Sequence, residues 1–269
     1  MRRIVFIILA SGFVLYVIPL ALVFIFQRSF MYFPPSVYMT PEAVNLPAAQ
    51  EVFLDDDNGA DLTAWWLPPK TDGSKTVMFF HGNGSAVFSN HDIYRDLHSA
   101  GYGVLGVSYP GYPGATGKPK QKAIINAVDR QYNWLLGQGI DPSQIIFFGT
   151  SLGSGIAAQL ATRHEPSLLI MDAPFNSTLD IGRLSMPIFP VGLFMKDTYR
   201  SDLALKSLTV PFVWTHGTKD DVIPLAQGRQ LYDSYQGPKT HLIIEGGQHT
   251  NLWRNGAREF VMAAIAAQP

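Results

Sequence analysis

Residues 4–26 carry no charge and are nearly all Ile, Leu, Val, Phe or Ala, whereas beyond residue 50 short β-branched or aromatic runs alternate with longer amphipathic stretches. As a helix, the first stretch spans about 34 Å, against about 30 Å for the hydrocarbon core of a bilayer. A buried core helix would keep a polar stripe, but the first strongly polar side chain is Gln27. A cleaved signal has a shorter apolar run ending in small residues; this one exits through Arg28, Phe30, Met31, Tyr32 and Phe33. The pattern therefore predicts a retained single-pass membrane anchor over 1–28. Arg2 and Arg3 precede the span and Arg28 follows it. The positive-inside bias then puts the rest of the chain outside the cytoplasm.

Pro34, Pro35, Pro41 and Pro47 mark 29–50 as a stiff linker rather than a helix or strand. The remainder, 51–269, reads as one domain. A hairpin is expected from 51–54 and 62–67, joined by the turn-rich 55–61. Strands are expected at 76–80, 103–109, 144–148, 168–171, 211–214 and 241–244. Helices are expected at 90–100, 120–136, 152–163, 225–235 and 252–267, from apolar positions at helical spacing. Strand and helix alternating to the end predict an α/β fold, a mostly parallel twisted sheet with helices on both faces. Between 176 and 208 the alternation breaks. Residues 185–195 are apolar and Pro-punctuated, which fits either a core-packing excursion or a small lid over a site.

Composition narrows the chemistry. A 269-residue chain with 47% hydrophobic residues can fill a large core, and a net charge of -1 gives no electrostatic reason to expect a nucleic-acid partner. The absence of cysteine removes disulfides, zinc–thiolate sites and a cysteine nucleophile. The histidines at 91, 98, 164 and 241 form no metal-ligand spacing.

Gly149-Thr150-Ser151-Leu152-Gly153 has the spacing of a nucleophile elbow. A serine presented on a sharp strand-to-helix turn needs glycines two residues before and after it, because the backbones come too close for side chains. The pattern alone is a modest signal, but a strand-like run (145–148) precedes it and a helix-like run follows. A serine needs a base, and the base an orienting carboxylate. His249, after Gly246-Gly247, is the candidate base. His216-Gly-x-x-Asp220-x-x-Ile223-Pro224 makes Asp220 the favoured acid, with Asp172 and Asp221 as the other candidates. The N–H of Leu152 and that of Asn83, in His81-Gly82-Asn83-Gly84, are the candidate oxyanion donors. His81 fits bracing of that loop better than proton transfer. Tyr109–Gly114 either lines the pocket or is only a turn. Such a triad requires no cofactor.

These residues resemble the α/β-hydrolase superfamily, and in particular its membrane-anchored, bud-emergence-like abhydrolase-domain branch. The likeness rests on Tyr32-Phe33-Pro34, Trp65-Trp66, His81–Gly84, Tyr109–Gly117, the elbow, Asp172-Ala173-Pro174-Phe175 and the acid and histidine loops. Pro113 stands where relatives usually have glycine, a departure at the pocket rim. The resemblance implies ester or thioester hydrolysis. The anchor and the apolar 186–195 segment favour a small-molecule or lipid ester with an apolar acyl part. An amidase or peptidase with the same triad, and a non-catalytic binding protein on this scaffold, are the alternatives.

Overall fold

The computed structural model describes residues 2–55, 59 and 61–269. Eight strands form one sheet: β1 (Gln50–Asp55), β2 (Asp61–Leu67), β3 (Thr76–Phe80), β4 (Gly103–Gly106), β5 (Ile145–Thr150), β6 (Leu168–Asp172), β7 (Phe212–Gly217) and β8 (Lys239–Ile244). Their spatial order is β1-β2-β4-β3-β5-β6-β7-β8. β1 and β2 are antiparallel to each other, and β2 to β4; every later pairing is parallel. The expected hairpin turn falls partly on 56–58 and 60, outside the described residues.

The central strands are buried on both sides, which is why they read as continuous apolar runs rather than alternating ones. Val77, Phe79, Ile146, Phe148 and Ile170 face α2 (His91–Ser99) and, toward the C-terminus, α9 (Ala257–Ala266). Met78, Phe80, Phe147, Met171 and Trp214 face α3 (Gln121–Gly137), α4 (Leu152–Ala161) and α8 (Leu225–Ser234). α1 (Arg2–Phe26) has no buried residue and is long and apolar enough to cross a membrane. Three short helices fill the irregular region: α5 (Thr178–Ser185), α6 (Val191–Phe194) and α7 (Ser201–Ala204).

The structure departs from the sequence expectations at three places. The strand expected over 103–109 leaves the ladder after Gly106, because the buried Gln131 amide of α3 takes over the backbone of Ser108. It accepts from Ser108 N–H at 3.0 Å and donates to Ser108 O at 2.9 Å. The helix expected over 252–267 is divided by Gly256, at φ 114°, into a 3-10 turn at Trp253–Asn255 and α9. The Pro-rich segment after α1, expected to hold neither helix nor strand, includes a short helical turn and packs against the domain. Tyr32, Val44, Leu46 and Ala49 are buried, Glu42–Val44 form a 3-10 turn, and the Tyr38 hydroxyl accepts from Trp65 Nε1 and donates to Glu51.

Candidate active site

Ser151 sits between β5 and α4 at φ 52°, ψ −120°, a conformation that L residues seldom hold. Its surroundings enforce it. A Cβ on Gly149 would lie 2.3 Å from the carbonyl oxygen of Gly153, and one on Gly153 would lie 2.0 Å from that of Phe80. No side chain fits either position. The turn is further tied by Ser151 N–H donating to Asp172 O at 2.9 Å and by Ser154 Oγ donating to Ser151 O at 2.6 Å.

Three side chains distant in sequence converge at the C-terminal edge of the sheet. His249 Nε2 lies 2.9 Å from Ser151 Oγ, and His249 Nδ1 lies 2.8 Å from Asp220 Oδ2. The Asp220 carboxylate is fully buried, and its Oδ1 accepts from the N–H groups of Val222 (3.0 Å) and Ile223 (2.8 Å). Burial alone would raise its pKa; the hydrogen bonds from His216, His249 and Ile223 outweigh that and hold the carboxyl well below the usual carboxylate range. It is therefore an anion aimed at the imidazole.

Asp172 and Asp221 do not join this chain. Asp221 is exposed. Asp172 Oδ1 accepts from the Thr215 hydroxyl, and burial pushes its pKa up to about 6. Its backbone supports the elbow, whereas its carboxyl is engaged behind it.

His216 is a functional neighbour that sequence reasoning missed. It is fully buried, its Nδ1 accepts from Trp214 Nε1 at 3.2 Å, and its Nε2 donates to Ile223 O at 3.0 Å with Asp220 Oδ2 3.3 Å away. The ring thus props the acid loop from beneath. Gly228 of α8 makes room for it, since a Cβ there would meet His216 Nδ1 at 2.6 Å. The signal was present as a histidine four residues before the acid, within the same motif that favours Asp220.

Leu152 opens α4, where an N–H has no partner within the helix. Asn83 lines the same cleft as Ser151 and Leu152. Its side chain is committed elsewhere: Nδ2 donates to Met31 O at 2.6 Å, and Oδ1 accepts from Phe33 N–H at 3.0 Å and from the Tyr112 hydroxyl at 2.7 Å. His81, beneath this loop, is fully buried; burial lowers its pKa to about 4, so it is neutral, with Nδ1–H donating to Gly82 O at 2.9 Å. Tyr109 lies with its ring 4.1 Å from that of His81 and donates to His81 O at 3.0 Å. Both Tyr109 and Tyr112 are buried supports of the Asn83 loop rather than pocket lining.

The cleft above Ser151 has a volume of about 360 Å³, within the usual range for small-molecule sites. Its walls are Ile181, Met186, Phe189, Val191 and Phe194 of the irregular region, together with Leu20, Val23 and Phe24 of α1 and Gln27 just beyond it. Among the described residues, no group of three or more His, Asp or Glu is placed to hold a metal ion.

Comparison with known proteins gives a consistent frame. A sequence-family model for the alpha/beta hydrolase fold matches residues 75–210. An uncharacterized protein of Mycobacterium tuberculosis is 29% identical over 227 residues, covering 84% of this chain and 81% of its own. The alpha/beta hydrolase domain-containing protein WAV2 of Arabidopsis thaliana is 26% identical, covering 89% of this chain and 86% of its own. Among solved structures, the Pyrococcus furiosus esterase Pf2001 superposes with a TM-score of 0.67 at 18% identity, covering 87% of this chain and 96% of that one.

Proposed function

The chain belongs to the alpha/beta hydrolase fold family, and from that premise we propose that it is a serine hydrolase cleaving carboxylic ester or thioester bonds with an apolar acyl part. One observation carries the reading: an unbroken relay from Ser151 Oγ through both ring nitrogens of His249 to a buried Asp220 anion, with links of 2.9 and 2.8 Å. In this reading Ser151 Oγ attacks the substrate carbonyl while His249 Nε2 takes the hydroxyl proton, and Asp220 holds the imidazole in orientation. The N–H groups of Leu152 and Asn83 receive the negative charge on the carbonyl oxygen. The tetrahedral adduct collapses to an acyl-enzyme, and the imidazolium returns its proton to the departing alcohol or thiol. Water, deprotonated by His249, then releases the acid and restores Ser151. No cofactor enters these steps.

The apolar walls of the cleft support an acyl substrate over a peptide. We also read α1 as a retained membrane anchor with the hydrolase domain outside the cytoplasm. Support comes from the contacts of its end with the domain: Arg28 forms a two-pronged ion pair with Asp197 (2.7 and 3.0 Å), and Gln27 Oε1 accepts from Lys196 N–H at 2.7 Å. Cleavage of a signal would discard these groups.

Labelling with a fluorophosphonate probe tests the chemistry: the wild type reacts and Ser151→Ala does not, whereas a wild type that fails to label would end the hydrolase reading. The absence of native cysteine makes the topology easy to test. Asp72→Cys on an exposed loop should react with a membrane-impermeant maleimide from the outer side, and protection there would reverse the orientation.

A further inference from the structure

The cleft is bordered by Leu20, Val23 and Phe24 of α1 and by Gln27 directly after its end, spaced i, i+3, i+4, i+7. They form one stripe along one side of a helix that is apolar all round. Tyr16, one turn earlier, continues the stripe: its hydroxyl donates to Ile188 O at 2.9 Å and its ring lies 5.9 Å from that of Phe189. Near the other end Phe24 meets Phe194 edge-on at 5.8 Å, and Gln27 Nε2 donates to Phe194 O at 3.3 Å. Leu22 and Ile25, off this stripe, do not line the cleft.

The segment facing α1 is unlike the rest of the domain. α5 and α6 contain no buried residue, and Leu184, Ile188 and Leu193 are 60%, 71% and 78% exposed. Such side chains clustered beside a membrane-spanning helix belong against lipid rather than water. The cleft between the two is apolar at the α1 end and reaches Ser151 at the other. Gln27 and Arg28 close the helix at its polar end, and Leu20 lies about 10 Å below Gln27 along the axis. With α1 read as the membrane anchor and Gln27 and Arg28 at the bilayer surface, Leu20 lies at the depth of lipid chains.

We propose that α1 is one wall of the acyl-binding site and that the substrate is a long-chain acyl ester resident in the bilayer, admitted sideways between α1 and the 178–195 segment. Its chain stays alongside Leu20–Phe24 while its carbonyl reaches Ser151, so the methylenes never cross water. This inference rests on the serine-hydrolase reading above and gives the anchor a role in choosing the substrate.

The test uses the full chain in phosphatidylcholine nanodiscs with p-nitrophenyl esters from acetyl to palmitoyl. Val23→Trp fills the stripe, and Leu22→Trp puts the same bulk at the same depth on the lipid side. Val23→Trp should lower kcat/KM for chains of about twelve carbons or more by roughly tenfold or more relative to the butyryl ester. Leu22→Trp should match the wild type, and both should keep fluorophosphonate labelling of Ser151. Identical chain-length profiles for the two variants would overturn the proposal while leaving the hydrolase reading standing; a wild type that never labels would remove the hydrolase reading first. Should Val23→Trp lose labelling through misfolding, Val23→Ala, which widens the groove, should move the optimum to longer chains. An unmoved optimum there also overturns the proposal.

Discussion

Around Ser151 the backbone excludes every side chain at positions 149, 153 and 217, where an added Cβ would come within 2.0–2.3 Å of a carbonyl oxygen. Across the cleft, Gly182 of α5 has only the Val191 Cγ1 methyl at 3.0 Å as its nearest obstacle. The polar side is held by short hydrogen bonds between loops; the apolar side is held by ring contacts and by a few polar links at the end of α1. In the proposed reaction, one proton-transfer contact of 2.9 Å and one orienting hydrogen bond of 2.8 Å tolerate little play, whereas a wall for flexible chains needs only to be apolar and of the right width.

The comparison breaks first at the relay. Asp220→Asn keeps the shape but leaves the imidazole without its orienting anion, so kcat should fall by about 10⁴-fold in an ester-hydrolysis assay. Asp172→Asn, whose carboxyl lies outside the relay, should leave most of the activity. A reversed ranking would transfer the acid role to Asp172.

Glycine replacement contrasts the two sides directly. Gly153→Ala should destabilise the fold by roughly 4 kcal/mol or more, because backbone must move to accept the methyl. Gly182→Ala should change stability by no more than about 1 kcal/mol, since a valine side chain can give way and alanine favours helix. Thermal unfolding of both variants in detergent measures the difference; equal effects would contradict the contrast.

A smaller effect appears with pH. His81 is held neutral by burial, with its pKa lowered to about 4. Its stability contribution is complete above the ordinary histidine value near 6.5 and is lost as pH falls toward 4. Asp172 is raised to about 6 by burial, so its contribution is complete below about 4 and is lost as pH rises through 6. The two slopes oppose each other over that window. Asp172→Asn removes one of them, so the variant should lose more stability than the wild type as pH falls from 6.5 to 4. Urea titrations at several pH values check this.

The same contrast decides what could be read from the sequence. The elbow, its flanking runs and the loops holding Asp220 and His249 were legible because close backbone approach and proton transfer demand particular residues at fixed spacing. The sheet was legible because its buried strands are continuous apolar runs. The stripe on α1 was not, since Leu20, Val23 and Phe24 differ in no way from the lipid-facing residues around them; only the fold says which side meets a neighbour. Burial of the 31–49 segment was hidden for a related reason: its prolines advertise stiffness, while Tyr32 and Leu46 find their partners far along the chain. The early end of β4 depended on Gln131, a side chain some two dozen residues away that replaces a strand partner.

The acid and histidine loops touch through their backbones. Gly217 has no room for a side chain because the Gly247 carbonyl lies against it, Lys219 N–H donates to that carbonyl at 2.9 Å, and Gly246 N–H donates to the Thr218 hydroxyl at 2.9 Å. Carboxylate and imidazole are therefore carried by loops that the backbone joins. An engineer who wishes to graft or retune this site should move 217–224 and 244–251 as a single unit, since exchanging either loop alone would separate groups that the backbone has joined.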